Sequence, residues 1–398
     1  MMTTAGLIRM GLDKFERLNI PLDFLNCSQN ERIGMQIREI CQQMEVWAPL
    51  AWQESYDNAG LLVGDGSTEV KGVLISLDCT EEVVEEAIKK GCNLIISHHP
   101  IVFSGLKRIT GANYVERTVI KAIQNNIALY ASHTNLDHAP KGVSYHLASK
   151  LGISGQVMKP MRDALKALQY YVPVSHEKAV REALHAAGAG NIGEYSNCSF
   201  TQEGLGRFQP STEANPHTGS AGILSEVNEV KVEMIFPTHQ SGQILSALKA
   251  AHPYEEVAYS IHSLDNSWQD VGAGYVGTLE QPLDPADFIA FAKKRLGLKA
   301  LKHTTLPSRP ISKVAVCGGA GSFLIKKAVK QGCDAYITAD IKYHEFFDAE
   351  NQCLIIDVGH YESEVMIIDA IHDYLSKKIS TFAVLLKSET NTNPVFNA

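Results

Sequence analysis

The sequence predicts an α/β protein: two similar α/β lobes, with an α+β domain of ferredoxin-like order inserted between them. Three observations carry this. A strand–turn–helix–strand pattern occurs twice, a histidine-and-carboxylate ending of a strand occurs twice, and the stretch between them has a different rhythm.

The repeat is read by setting "GVLISLDCTEEVVEEAIKKGCNLIIS", from Gly72, beside "KVAVCGGAGSFLIKKAVKQGCDAYIT", from Lys313. Gly91-Cys92 falls on Gly332-Cys333 at an offset of 241. β-Branched runs stand at both ends, with a period near 3.6 between them. Each copy is a βαβ unit, which implies parallel neighbouring strands buried on both faces. "NIALYASHTNLD" and "QCLIIDVGHYESE" supply the second echo, with His133/Asp137 and His360/Glu364 at a shared offset of 227. Two generic βαβ units could agree by chance, but four elements in one order favour duplication.

From about Lys166 to Leu264 the elements run β-α-β-β-α-β: "ALQYYVPV", "SHEKAVREALHAAG", "NCSFTQEGLGRFQP", then after a polar loop "EVKVEMIFP", "HQSGQILSALKAAH" and "EVAYSIHSL". That is the ferredoxin-like order. The expected organisation is an N-terminal extension, poorly ordered, at 1–34; lobe one at 35–161; the insert at 162–271; and lobe two at 272–398. From Met35, "MQIREICQQMEVWAPLAWQ" reads as an amphipathic helix. A chain of 398 residues is long enough for several cores.

Composition narrows the class. A formal charge of −8 argues against a general nucleic-acid surface. No stretch approaches the ~20 apolar residues of a membrane span, and Arg9, Asp13, Lys14 and Glu16 interrupt the start too early for a secretory signal. The eight cysteines are scattered without a CxxC, which reads as small hydrophobes in a reducing cytoplasm.

Chemistry collects where strands end. Open α/β sheets place their sites at the carboxyl ends of strands. In "NLIISHHPIVFSG", His98 and His99 close an apolar strand; His133 and Asp137 follow the next; His360 and Glu364 follow "CLIIDV" in lobe two. Adjacent side chains of an extended strand point to opposite faces, so His98 and His99 can reach two ions. If "YESEVMIIDAIHDYL" is helical, His360 and Glu364 share one face. A carboxylate has two oxygens and can bridge two cations; Asp137 and Glu364 are the candidates. Each fragment alone reads more plainly as a core histidine or a surface pair. Their common placement at strand ends favours a dinuclear centre with nitrogen and oxygen ligands.

Five motifs, "YDNAGLLVGD", "ISHHPIVF", "SHTNLD", "TADIKYHEF" and "DVGHYESE", resemble those of the Nif-three-like family, whose members carry the names GTP cyclohydrolase I type 2 and YqfO-like. The resemblance runs in order from about Met35 over nearly the whole remaining chain. It implies a di-metal centre between two similar lobes, a toroidal homohexamer, and, in longer members, an insert like PII and CutA. The family's ligands fall on His98, His99, Asp137, His360 and Glu364, each matching by type; His133 is left to stand behind them.

Imidazole and carboxylate without thiolate suit two divalent ions per chain, zinc first, with iron, manganese, cobalt or nickel as alternatives. Such a centre favours metal-assisted hydrolysis of a small anionic substrate, a nucleotide or another phosphoester. The alternative is a non-enzymatic regulatory or metal-handling assembly whose di-metal site is structural or holds cargo. "ADIKYHEF" puts Asp340 at the place of His99 by the 241 offset, so Lys342 and His344 are expected to enter the cleft, one holding phosphate and the other moving a proton. "VCGGAGSFL" is a glycine-rich turn before a helix; a phosphate cradle is one reading and a tight turn the plainer one. "AHPYEEVAY" in the insert reads as a bend with a solvated acidic pair.

Overall fold

The computed structural model describes residues 34–379 and 384–396. The expectation of a poorly ordered extension therefore lies outside the described residues, save Gly34. Three sheets organise the chain.

The first sheet has the order β1-β4-β3-β2-β15. Its strands are β1 (Gly60–Val63), β2 (Gly72–Ser76), β3 (Leu94–Ser97), β4 (Ala128–Ala131) and β15 (Val384–Lys387). β2, β3 and β4 are parallel and buried along their whole length, which is why they read as unbroken apolar runs. The helix Glu81–Lys90 crosses from β2 to β3. Thr80 caps it by accepting from the Val83 amide, acidic residues occupy its first turn and lysines its last, and Gly91 ends it at φ +71°. Gly332, its counterpart by the offset, stands at φ +68°.

The second sheet has the order β11-β14-β13-β12-β10-β5. It comprises β5 (Ser154–Met161), β10 (Trp268–Leu283), β11 (Lys302–His303), β12 (Ile311–Ala320), β13 (Ala335–Ala339) and β14 (Leu354–Asp357). β12, β13 and β14 repeat the parallel arrangement of β2, β3 and β4. The short helix His360–Glu364 follows β14.

The third sheet, β7-β8-β6-β9, is antiparallel: β6 (Leu165–Pro173), β7 (Phe200–Phe208), β8 (Ser225–Pro237) and β9 (Tyr259–Ser263). Helices Glu177–Ala186 and Ser241–Ala251 cover it, closing a separate core around Tyr170, Leu184, Phe236 and Leu248. The chain enters this unit from β5 and leaves it into β10, which are antiparallel partners with Met161 opposite Trp268. Trp52 meets Trp268 and His239 edge-on, at 5.4 and 5.7 Å between ring centres, and so joins this unit to the first sheet's core.

Sheet membership does not follow the linear boundaries at 161 and 272. β5, on the lobe-one side, is an edge of the second sheet, and β15, near the C-terminus, extends the first sheet beside β2. Alternation and β-branched content mark a strand but not its partner, which is chosen by long-range packing.

Candidate metal centre

The first two sheets meet with their strand ends facing one another, and Glu364 stands where they meet. It is 2 % exposed. His98 and His99 lie just past β3, their amides still paired with the carbonyls of Ser76, which ends β2, and Leu77, which follows it. His98 Nε2 is 3.8 Å from Glu364 Oε1 and 3.7 Å from Asp137 Oδ1. His99 Nε2 is 2.9 Å from the other oxygen, Glu364 Oε2. His360 Nε2 is 3.1 Å from that same oxygen and 3.2 Å from His99 Nε2. Two nests of donor atoms thus share one carboxylate: His98/Asp137/Glu364 and His99/His360/Glu364.

The imidazoles are aimed by what holds their outer nitrogens. His98 Nδ1 donates to the Ser132 carbonyl at 2.7 Å. A carbonyl only accepts, so that nitrogen carries the proton and Nε2 presents a lone pair inward. His99 Nδ1 is 2.7 Å from Asp78 Oδ1, and His360 Nδ1 is 2.6 Å from Asp340 Oδ2. Such outer partners fix the ring orientation of metal-binding histidines. His133 follows the same pattern, with Nδ1 2.7 Å from Asp57 Oδ1 and its ring 5.4–5.5 Å from those of His98 and His99.

The donor set fits divalent cations. His98 Nε2 and Asp137 Oδ1 are buried and make no hydrogen bond, an arrangement that costs about 1–3 kcal/mol per group unless something satisfies them. A tetrahedral site with ~2.1 Å bonds has edges of about 3.4 Å, and the separations of 2.9–3.8 Å bracket that value. Without metal, protons do part of this work. Burial disfavours charged His99 and His360, but hydrogen bonds to Asp78 and Glu364 push His99 up to about 10, and bonds to Glu364 and Asp340 push His360 up to about 9. Burial alone would raise Glu364; the surrounding imidazoles of His360, His98 and His99 instead hold it well below the usual carboxylate range. Burial and the charge of Glu364 push Asp137 up to about 7.

Backbone completes the shape. Gly319, at φ +60°, lies so close to the centre that a Cβ there would stand 2.2 Å from Glu364 Oε1. Its amide donates to Ser363 Oγ at 2.9 Å and is not available to a phosphate. The glycine-rich turn is therefore a place where β12 passes close to the carboxylate.

The centre opens into a cleft of about 670 Å³, bounded among others by His99, His133, Lys302, Asp340, His360 and Val395. A smaller opening of about 240 Å³, bordered by Tyr56 and Phe323, also reaches Asp137 and Glu364. All five expected ligands are brought together. Lys342 and His344 are not: both are exposed and neither lines the cleft. The reason is local. Asp340 takes φ +54° after β13, which turns Asp340 and Ile341 to the cleft and carries the next residues outward into the turn Tyr343–Ala349. Sequence reasoning missed Asp57 and Asp78. Asp57 sat inside a recognised motif, whereas Asp78 had only its position two residues past β2.

A model of the Duf34/NIF3 family (NGG1p interacting factor 3) matches residues 35–394. The protein named GTP cyclohydrolase 1 type 2 homolog of Bacillus subtilis (strain 168) is 38% identical over 367 residues, covering 90% of this chain and 97% of that one. The protein of the same name from Staphylococcus epidermidis (strain ATCC 35984) is 34% identical over 365 residues, covering 90% and 99%. Among solved structures, a Bacillus cereus protein related to NIF3 matches with a TM-score of 0.81 at 36% identity, covering 91% of this chain and 99% of that one. A Staphylococcus aureus protein matches at 0.73 and 30%, covering 92% and 99%. A match of this extent, in sequence and in fold, shows the family: the chain belongs to the Duf34/NIF3 family.

Proposed function

We propose that this chain binds two divalent metal ions and uses them to hydrolyse a small anionic substrate, a nucleotide or another phosphoester. The observation that carries this is the sharing of Glu364 between two nests of inward-facing donors, beside an open cleft. His98, Asp137 and Glu364 would hold one ion, and His99, His360 and Glu364 the other. Such ions supply Lewis acidity and deprotonate water near neutral pH. Asp78, Asp340 and the Ser132 carbonyl keep the three imidazoles turned inward. Zinc is the first choice of metal for these ligands, with iron, manganese, cobalt and nickel following.

The names of the curated relatives support a nucleotide as substrate. The finer architecture is proposed with it. The parallel triplets β2-β3-β4 and β12-β13-β14 support duplicated lobes. The order of the third sheet, together with its two helices, supports a ferredoxin-like insert of the PII/CutA kind. A cytoplasmic homohexamer rests on the family resemblance and is checked by sedimentation.

One observation favours the second reading, a metal-handling or regulatory assembly. Lys302, a cation bordering the cleft, is already 3.6 Å from Asp357. The deciding experiment is metal analysis of protein purified without added metal, followed by a screen of nucleotides and phosphoesters with Glu364→Gln as control. Two metal equivalents with turnover lost in the variant support the hydrolase. Two exchangeable equivalents without turnover favour metal handling, and no metal at all refutes both.

A further inference from the structure

The chain's C-terminal segment, beyond β15, runs across the first sheet toward the metal centre. Ser388 continues the β15 pairing by donating to the Ile75 carbonyl at 2.8 Å. Glu86 then gathers the next residues: its carboxylate accepts from Ser388 Oγ, the Glu389 amide and Thr390 Oγ1 at 2.6–2.9 Å. Two residues on, Thr392 Oγ1 donates to Asp78 Oδ2 at 2.5 Å. The other oxygen of Asp78 is the one on which His99 Nδ1 rests, at 2.7 Å. Asn393 Nδ2 donates to Glu362 Oε1 at 3.0 Å, on the short helix that carries His360 and Glu364. Asn393, Pro394 and Val395 then form part of the cleft wall.

We propose that Thr392 is a positioning residue for the centre: through Asp78 it fixes the ring of His99, and so sets the affinity of the His99/His360/Glu364 nest. The assignment rests on the di-metal reading above. An unconstrained Asp78 carboxylate can rotate about its last torsion. The threonine hydroxyl engages one oxygen and leaves the other aimed at the imidazole. Hydrogen-bond partners of metal-binding histidines commonly govern metal affinity by about tenfold to hundredfold. His98 and Asp137 themselves have no hydrogen bond to the tail among the described residues, and His98 is oriented by a backbone carbonyl instead. The tail therefore acts on one of the two positions.

The test uses cobalt(II) alone as probe, titrated into metal-free full-length protein and followed by its visible absorption, which reports ligand geometry. Wild type is expected to take up two equivalents. In Thr392→Val, one equivalent weakens about tenfold to hundredfold with a changed spectrum while the other is retained, and Thr392→Ser restores the wild-type curve. Asn393→Ala removes the neighbouring tail bond but keeps the hydroxyl, and is expected to match wild type. Should the valine variant not fold, Thr392→Ala is measured in its place. Wild-type affinity for both equivalents in the folded Val or Ala variant overturns the assignment. Equal loss in Asn393→Ala overturns it too, since ordering of the tail in general would then be the cause. Wild-type protein that takes up no cobalt overturns the di-metal reading itself, and is distinguishable from both.

Discussion

Gly319→Ala tests how tightly the second sheet is fitted to Glu364. The residue sits at φ +60°, where a side chain costs about 1–2 kcal/mol. The added methyl carbon would lie 2.2 Å from Glu364 Oε1 and 3.3 Å from His360 Cε1. An ordinary carbon–oxygen contact requires roughly 1 Å more, and relieving such an overlap in a packed interior costs about 1–3 kcal/mol. The combined destabilisation expected is about 2–5 kcal/mol. The displaced oxygen is the one facing His98, so the His98/Asp137 nest should lose its ion first. Urea denaturation gives the stability, and elemental analysis of the same preparation gives the metal content, expected to fall from two equivalents toward one. Gly318→Ala is the control, because its Cβ would meet Val143 Cγ1 at 2.5 Å and come no nearer Glu364 than 3.4 Å, at Cγ. It should destabilise yet keep both ions. A Gly319→Ala protein within about 0.5 kcal/mol of wild type, below the costs just given, and holding two ions, would refute the close-approach argument.

Other outcomes follow from the same geometry. Glu364→Gln removes the shared charge and should lower occupancy of both positions; elemental analysis finding two tightly held ions would exclude a bridging role. In the metal-free protein His99 and His360 keep their protons up to about 10 and about 9, so loading at pH 7 should release protons and affinity should rise with pH. By the same sign, their raised pKa values stabilise the metal-free fold fully below about pH 6.5 and lose that effect as pH rises toward 9–10. Melting of chelated protein should therefore decline across that window, and a rise would contradict the assignment. Excising the residues between Met161 and Trp268 and closing the gap with a short turn should leave two metal equivalents, at some cost in stability from exposing Trp52; an unfolded product over several turn lengths would show one folding unit. Lys302→Ala should weaken binding of a nucleoside triphosphate, measured calorimetrically, more than Lys342→Ala does, since Lys302 borders the cleft. The reverse order would return the phosphate role to Lys342.

The centre was legible in the sequence to the extent that its chemistry is local. His98-His99 and His360/Glu364 are spaced by the geometry of a strand end and a helical turn, so the pattern carries the inference. The partners behind them are not spaced by anything. Asp57 and Asp78 come from separate loops and meet the imidazoles only once the sheets have packed, whereas Asp340 was placed near them by the 241 offset alone. Lys342 and His344 were expected in the cleft and lie outside its lining, because the repeat predicts where β13 ends but not the left-handed turn at Asp340 that follows. Gly319 was seen, but its reason, a carboxylate on a distant helix, was not. The crossing of β5 and β15 between sheets was beyond reach for the same cause, since periodicity identifies a strand without naming its neighbour.

The doorway between β5 and β10 has an evolutionary corollary. Because Met161 faces Trp268 across one ladder, the two ends of the third-sheet unit are separated by little more than one strand spacing, ~5 Å. To the rest of the molecule the whole unit is equivalent to the loop of a hairpin. Closing a loop grows costlier only slowly with its length, and this one brings its own core to offset the ordering of its residues. A single recombination event at that doorway could therefore add, remove or exchange the unit while the residues around Glu364 keep their places. Substitutions inside the unit can then accumulate almost independently of those around Glu364.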